Sequence, residues 1–309
     1  MTDVVVAIPS YRRPKSLERL LRALENLHIR ANVTILVADN DTDGREALQA
    51  CETMRAGGYR WPIDAVVAEQ RGISGARNAL IAHVLEKHPC DFVAMIDDDE
   101  VPDVAWLENL LRMQAETRAD AVGGTVRRIF ESDPGPWAIH CDGVSDVLHP
   151  PGPIAMLEGT GNLLARRGLF EKLAAPWFDP AFSFTGGEDK DFFMRARNAG
   201  ARFAWAADAV VHDFVPPSRA NLKWALRRAY SAGNSDMRVF LKYRPTLASR
   251  LNESGRILAA LLLNPVLFAI LAFNPNRRVR PLRKLARAFG KIAAIGGRRY
   301  EEYSVIHGQ

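Results

Sequence analysis

The chain has only three cysteines, Cys51, Cys90 and Cys141, and no two of them form a CxxC pair. An odd number at scattered spacing fits neither a disulfide framework nor a cysteine zinc site, so a reducing cytosol is the expected home. The opening "MTDVVVAIPS" lacks the charged-then-apolar pattern of a secretory leader and reads directly into a strand. Internal repeats and low-complexity tracts are missing too, which excludes repeat arrays and compositionally disordered segments. No lysine-bearing, glycine-rich phosphate loop occurs.

What is present describes a folded protein. At 309 residues, 48% hydrophobic and 25% charged, the chain can bury a substantial core in one large domain or two modest ones. The net charge of +5 hides an asymmetry. Residues 219–309 carry 18 Lys and Arg against 4 Asp and Glu, a net of +14, and residues 1–218 carry a net of −9. An acidic front is joined to a basic tail.

Residues 1–126 alternate strand and helix signals. "VVVAIP" (4–9), "VTILVAD" (33–39), "IDAVVAE" (63–69) and "DFVAMID" (91–97) are short, apolar and rich in β-branched residues. Between them lie amphipathic stretches such as "SLERLLRALENL", where Leu17, Leu20, Leu21, Leu24 and Leu27 keep helical spacing. Apolar strands joined by helical crossovers indicate an α/β fold with a doubly wound, mostly parallel sheet. Ligands of such sheets bind beyond the carboxyl ends of the strands. Those ends carry Pro9-Ser10-Tyr11, Asp39-Asn40-Asp41, Glu69-Gln70 leading into "RGISGARNAL", and Asp97-Asp98-Asp99. Every polar cluster falls on one rim.

From 127 to 213 the pattern is less regular. "SDPGPW" and "HPPGP" read as loops, and "AMLEGTGNLLARRGLFEKL" as a strand, a glycine turn and a short helix. "FTGGEDKDFFMRARNAG" reads as a turn leading into a helix with an acidic first turn and a glycine stop.

Four successive carboxylates, Asp97 to Glu100, are either a solvated loop or a charged site. Their place behind an apolar strand on the ligand rim favours a hard divalent cation, Mg²⁺ or Mn²⁺, bridging to a diphosphate. Glu188-Asp189 is either the ordinary acid enrichment of a helix start or a base for an attacking hydroxyl. Gly186-Gly187 before it permits close approach of a ligand. His212, at the end of "ADAVVH", is either structural or a metal ligand. Asp39 either caps the next helix or accepts a hydrogen bond from a nucleobase imide.

The set "VVVAIPSYRRPKSLERLLRAL", "ILVADND", "RGISGARNALI", "AMIDDDEVP", "GTGNLLARR" and "GGEDKDFFMRARNAG" resembles glycosyltransferase family 2 in order and spacing, from about Val4 to Arg219. The resemblance is closest to the glucosyltransferases of succinoglycan-type exopolysaccharide assembly. It implies the GT-A fold, a nucleoside-diphosphate-sugar donor such as a UDP-hexose, and inversion at the anomeric carbon. By position, Pro9, Ser10 and Tyr11 resemble the uridine-binding first loop and Asp39 the uracil-binding carboxylate. Gly72 and Arg77 resemble the segment lining the nucleotide. Asp97 to Asp99 resemble the DXD motif, with Asp97 and Asp98 toward the ribose and Asp99, joined by Asp97, on the metal. Glu188-Asp189 resembles the ED motif, with Asp189 the base, and His212 resembles a late metal-binding histidine. On this reading 1–126 is the nucleotide-sugar half and 127–218 the acceptor and catalytic half of one domain, while 219–309 is a basic helical extension.

Within that extension "ILAALLLNPVLFAILAF" (257–273) is at the low edge of length for a membrane span, with basic residues on both sides. Asn264-Pro265 interrupts it. The expectation is an interfacial or re-entrant hairpin held against anionic lipid by "RRVRPLRKLARAFGK", with a core helix pair as the alternative. The aliphatic run argues for lipid and against nucleic acid as the partner of the basic tail. A polyprenyl-diphosphate-linked acceptor would reside at that surface, placing the protein on the cytoplasmic face of the plasma membrane. Two rivals remain at this level. A sugar-nucleotide pyrophosphorylase would need glycines after the first strand, where "PSYRRPK" has none. A non-catalytic membrane-bound scaffold would not need the DDD and ED clusters.

Overall fold

The computed structural model describes residues 1–135, 146–274 and 277–301. Cys141 and the Pro136-Trp137 end of the "SDPGPW" loop lie outside them. The four expected strands form as β1 (Asp3–Ser10), β2 (Asn32–Asp39), β3 (Ile63–Val67) and β4 (Phe92–Ile96), parallel and in the order β3-β2-β1-β4. Crossovers run through α1 (Pro14–Glu25), α2 (Glu46–Ala56) and α3 (Ile73–Lys87). Pro14 sits in the first turn of α1, where its missing N–H costs nothing, and Leu17, Leu20, Leu21 and Leu24 form the buried face. Val6, Ile8, Ile35 and Val37 enter one core; Val5, Ala7, Leu36 and Ala38 enter a second on the opposite face. With helices covering both faces, these strands need no polar alternation.

The sheet continues with β5 (Glu100–Pro102), β6 (Ala121–Phe130), β7 (Gly152–Ile154), β8 (Asn162–Arg166) and β9 (Phe203–Val215). β8 lies antiparallel between β4 and β6, β9 runs parallel to β6, and β5 and β7 pair antiparallel with β9. The sheet is therefore mixed, with its parallel half where the sequence placed it. Because β6 crosses position 126 and β8 inserts beside β4, residues 1–126 and 127–218 share one sheet. Further helices are α4 (Trp106–Thr117), α5 (Arg167–Lys172) and α6 (Glu188–Asn198).

Two local readings change. The strand in "AMLEGTGNLLARR" follows the glycine turn instead of preceding it, and "HPPGP" ends in the short β7. The glycine turn has a steric reason: a Cβ at Gly161 would lie 2.9 Å from Asp97 Oδ2 and 3.0 Å from Glu100 Oε2. Residues 159–161 pass directly over the acidic strand end.

The extension forms three helices, α7 (Leu222–Lys242), α8 (Leu247–Leu271) and α9 (Val279–Ile295). α7 and α9 cross at two glycines. A Cβ at Gly233 would meet Arg287 O at 2.1 Å, and one at Gly290 would meet Tyr230 O at 2.0 Å, so only glycine allows this approach. The expected break at Asn264-Pro265 does not occur. α8 runs 25 residues through Pro265, and the Asn264 side chain donates to Ala260 O at 2.7 Å, reinforcing the turn before the proline. Most of its apolar surface is exposed, including Leu258, Leu262, Leu263, Val266 and Ile270. Among the described residues it is the helix long and apolar enough to cross a membrane.

Candidate active site

The carboxyl ends of the parallel strands open into a cavity of about 650 Å³, bounded on its other sides by the 156–162 loop, the start of α6, and α7 and α9. Pro9, Ser10, Tyr11, Gly72, Arg77, Asp97, Asp98, Asp99, Glu188 and Asp189 all line it. The polar rim is thus one site, and the extension is part of its wall.

At the strand ends, Ser10 Oγ donates to Asp98 Oδ2 at 2.9 Å, tying the end of β1 to the end of β4. Arg71 reaches over the Tyr11 ring, with its guanidinium carbon 4.9 Å from the centroid. Gly72 begins α3 at φ +99°, and Ser183 would block a Cβ there. Its N–H donates to Asn40 Oδ1 at 2.7 Å, while Asn40 Nδ2 donates to Ala68 O and Gln70 O. Asn40, not singled out in the sequence, builds the turn that carries Arg71 and Gly72.

Asp39 takes the other of its two readings. It is buried, accepts from Asp41 N at 3.0 Å and Ala47 N at 2.9 Å, and forms no part of the cavity wall. Asp41 N engages Oδ1, while the amides of Ala47 and Leu48 in the first turn of α2 engage Oδ2. In this structure Asp39 serves as a structural cap, and its uracil-binding role stays an expectation from the resemblance.

The four acids do not wait for a metal to be tolerated. Asp98 is held by Ser10 and by Arg13 Nη1 at 3.2 Å, and burial still pushes its carboxyl up to about 7. Burial also opposes ionisation of Asp99, but Arg13 at 2.8 Å and Arg219 at 2.9 Å outweigh it and hold the carboxyl below its usual range. Desolvation raises Asp97, against the pull of Arg77 at 3.3 Å. Glu100, buried beside Asp97 and Asp213, is raised well above its ordinary value. Resident arginines thus carry much of the compensation, and burial shifts Glu100 toward its neutral form. Arg13 belongs to the "PSYRRPK" segment and Arg219 is the first residue of the basic extension, and neither carries a spacing signal that points to Asp99.

Asp97, Asp98 and Asp99 splay toward different partners. Among the described residues, the side chains that converge within one ion's reach are instead Asp64, His83 and His88, on β3 and around α3. His212 is not brought to the rim. Its Nε2 bonds Asp103 Oδ1 at 2.9 Å, across from Val101 of β5, and the next residue, Asp213, faces the cavity and pairs with Arg128. Successive strand residues point to opposite faces, so one position decides the matter. In this structure His212 is a strand-edge partner of Asp103, and its metal-ligand role stays an expectation from the resemblance.

The cleft nonetheless fits a hard cation. Its donors are all oxygen, Asp97 keeps 38% of its side chain exposed, and Gly161 approaches it without a Cβ that would crowd its carboxylate. A magnesium-like ion takes one or two carboxylates and completes its shell with phosphate oxygens and water. Asp97 and Asp99 would hold it.

Glu188 and Asp189 open α6 behind Gly186 and Gly187, whose φ values of +71° and +102° form the turn. Arg77, itself 4% exposed, donates from Nη1 to Glu188 Oε1 and Asp189 Oδ1, each at 2.7 Å, and from Nη2 to Asp97. Thr160 Oγ1 adds a bond to Asp189 Oδ1 at 2.9 Å. Burial pushes Glu188 up to about 7, with the Asp189 charge adding to it against Arg77. Glu188 is the enclosed member of the pair; Asp189, with 20% side-chain exposure, is the one open to the cavity. Arg77 links the two acidic motifs, a role no spacing in the sequence suggests.

A parallel half-sheet with an acidic rim and a helix-borne carboxylate pair, on one mixed sheet, define a GT-A-type glycosyltransferase. The family model "Glycosyl transferase family 2" matches residues 5–174, and the chain belongs to that family. The chain is 33% identical over 243 residues to the succinoglycan biosynthesis protein ExoM of Rhizobium meliloti (strain 1021), covering 76% of this chain and 74% of that one. Among solved structures, the mannosyltransferase PcManGT from Pyrobaculum calidifontis, in complex with GDP-Man and Mn²⁺, superposes with a TM-score of 0.65 at 17% identity, over 96% of this chain and 88% of that one. S. aureus TarS 1-349 in complex with UDP gives 0.54 at 14% identity, over 97% and 93%. These two share the fold.

Proposed function

We propose that the protein transfers a sugar from a nucleoside diphosphate sugar, a UDP-hexose, to a hydroxyl of a polyprenyl-diphosphate-linked glycan, with inversion, in exopolysaccharide or related surface-glycan synthesis. The observation that carries this reading is the shared guanidinium: Arg77 holds Asp189 and Asp97 against one cavity, so a proton acceptor and the donor rim have a fixed relation. Ser10, Tyr11, Gly72 and Asp98 would receive the nucleoside. A divalent cation, when bound, supplies positive charge against the departing diphosphate. Arg77 and Thr160 both grip Asp189 Oδ1, which leaves Oδ2 to take the acceptor proton as the hydroxyl attacks from the face opposite the leaving group. Glu188 stays enclosed and keeps Arg77 in place.

The exposed apolar surface of α8 and the +14 charge of the extension support a cytoplasmic, membrane-associated enzyme that meets its acceptor at an anionic lipid surface. ExoM, a succinoglycan biosynthesis protein, supports the exopolysaccharide assignment. The test incubates membranes carrying lipid-linked intermediates with a panel of UDP-sugars. A lengthened lipid-linked glycan with release of UDP is expected; release of pyrophosphate from a nucleoside triphosphate, without glycan extension, would overturn the reading.

A further inference from the structure

Away from the cavity, three side chains meet at the margin of the sheet. β3 is the outermost strand, with β2 as its partner. On it, Asp64 stands opposite Leu36, three positions before Val67 at the rim end, and so about 10 Å below the acidic rim. Asp64 Oδ1 accepts from Ala65 N at 2.8 Å. Oδ2 lies 2.8 Å from His83 Nε2 and 3.0 Å from His88 Nε2.

The two rings reach that oxygen by a break in the helix. On a continued helix a five-residue step would set His83 and His88 about 140° apart. The backbone instead leaves α3 at His88, with φ −117° and ψ 102°, and the second ring returns beside the first. Arg167 fixes this exit by donating to Leu85 O at 2.9 Å and to His88 O at 2.8 Å. The ring centroids are 5.4 Å apart with planes at 46°, so the rings are tilted toward each other and not stacked. Both take the same carboxylate oxygen, and the three donor atoms lie within 4.8 Å of one another.

That spacing is close to a coordination shell. Around an ion with bonds of about 2.1 Å, donors at right angles are about 3.0 Å apart and donors at the tetrahedral angle about 3.4 Å. The pairs at 2.8 and 3.0 Å need an opening of only about 0.5 Å to admit one. Two imidazoles and a carboxylate suit zinc and its neighbours, with water completing the shell. The all-oxygen Asp97–Asp99 rim suits magnesium or manganese, so the two places select different ions.

We propose that Asp64, His83 and His88 form a binding site for a zinc-type transition-metal ion, which clips the edge strand β3 to the C-terminal end of α3. On binding, each Nε2 exchanges its hydrogen bond to Asp64 for the ion, and the ring proton passes to Nδ1. The three side chains are 40%, 21% and 20% exposed and do not line the cavity, so an ion enters from solvent without crossing the acidic rim. The clip steadies α3, the helix that carries Arg77.

The test uses the full chain, stripped of metal with EDTA and dialysed, with Mg²⁺ and UDP saturating the donor rim. Calorimetric titration with Zn²⁺ should show one strong site per chain, and saturation should raise the melting temperature by about 5 °C. His83→Gln and His88→Gln should each lower Zn²⁺ affinity at least about tenfold, with Mg²⁺-dependent UDP affinity unchanged. Asp64→Asn keeps an acceptor for the ring N–H groups but loses the anionic ligand, so it should show the same loss even if the histidine variants fold poorly. His28→Gln, at an exposed position elsewhere, should leave Zn²⁺ affinity as it is. Zn²⁺ bound equally well by the three site variants, or a wild-type melting temperature that Zn²⁺ does not move, would overturn the proposal and leave the cluster a hydrogen-bonded ion pair. UDP affinity in the same samples reports on the donor rim separately, so failure of the zinc site leaves the transferase reading standing.

Discussion

Arg77 Nη1 lies 2.7 Å from Asp189 Oδ1, and the guanidinium that makes this contact is almost sealed from solvent. The same nitrogen reaches Glu188, and the neighbouring one reaches Asp97. A charge so enclosed is stable only with its partners present. Removing one partner of a buried pair typically costs about 3–5 kcal/mol. Arg77→Met should therefore destabilise by about that amount, measured by chemical denaturation. Arg77→Lys should cost less but cannot span three carboxylates, so its turnover should fall more than its stability. Adding Glu188→Gln to Arg77→Met should restore part of the lost stability. Simple additivity of the two losses would show that the pair is not coupled.

Asp189→Asn keeps shape and the Thr160 bond while removing the proton acceptor. Turnover should fall by about 10² to 10⁴, the usual worth of general-base help. UDP affinity should stay near normal, because Ser10, Asn40 and Gly72 are on other loops. Near-normal turnover in this variant, with loss in Glu188→Gln, would move the base to Glu188.

Glu188 also predicts a pH dependence. Its folded-state pKa is about 7, raised from 4.5 chiefly by burial. The folded protein therefore holds this proton more tightly than the unfolded chain. The stability linked to it is fully present below about pH 4.5 and is lost as pH rises through about 7. The span corresponds to at most about 3 kcal/mol. Asp98 and Glu100 shift in the same direction, so the informative quantity is the difference between wild type and Glu188→Gln. Melting curves from pH 4.5 to 8 should show the variant losing less stability with rising pH. Parallel curves would mean that Glu188 is ionised throughout.

Asp99→Asn and His212→Gln separate the metal assignments. The first should weaken Mn²⁺-dependent UDP binding, and EDTA should have the same effect on the wild-type chain. The second should leave both unchanged, because His212 bonds Asp103 on the far side of β9. A drop in metal-dependent affinity for His212→Gln would mean that β9 rearranges on donor binding.

What the sequence disclosed follows from the reach of its signals. Strand runs, the α1 leucine stripe and the rim of polar strand ends are local patterns, and each reappears in place. Asp39 offered a cap and a ligand equally, because both use the same carboxylate at the same strand end. His212 and Asp213 are adjacent, and only the pairing of β9 with β5 and β6 decides which of them enters the cleft. Arg13, Arg77 and Arg219 compensate acids 85, 20 and 120 positions away, separations at which no periodicity carries information. The Gly233–Gly290 crossing was equally silent, since neither glycine breaks its helix.

The extension calls for a subtler membrane test than truncation. Cutting the chain after about residue 218 would remove α7 and α9, which wall the cavity, along with Arg219 on Asp99. Loss of flotation would then be indistinguishable from misfolding. α8 offers a cleaner target, because Leu262, Leu267 and Ile270 are exposed and their removal opens no core. Burying one such side chain is worth about 1.5–3 kcal/mol. Replacing all three with Glu should therefore lower partitioning onto anionic vesicles by well over tenfold, while Mn²⁺-dependent UDP affinity and melting temperature hold. High salt should weaken wild-type flotation only in part, since screening affects the basic residues and leaves the apolar contact intact. Flotation of the triple variant equal to wild type would place membrane attachment outside α8. Complete loss of wild-type flotation in salt alone would make it electrostatic and leave the exposed leucines of α8 without a lipid role.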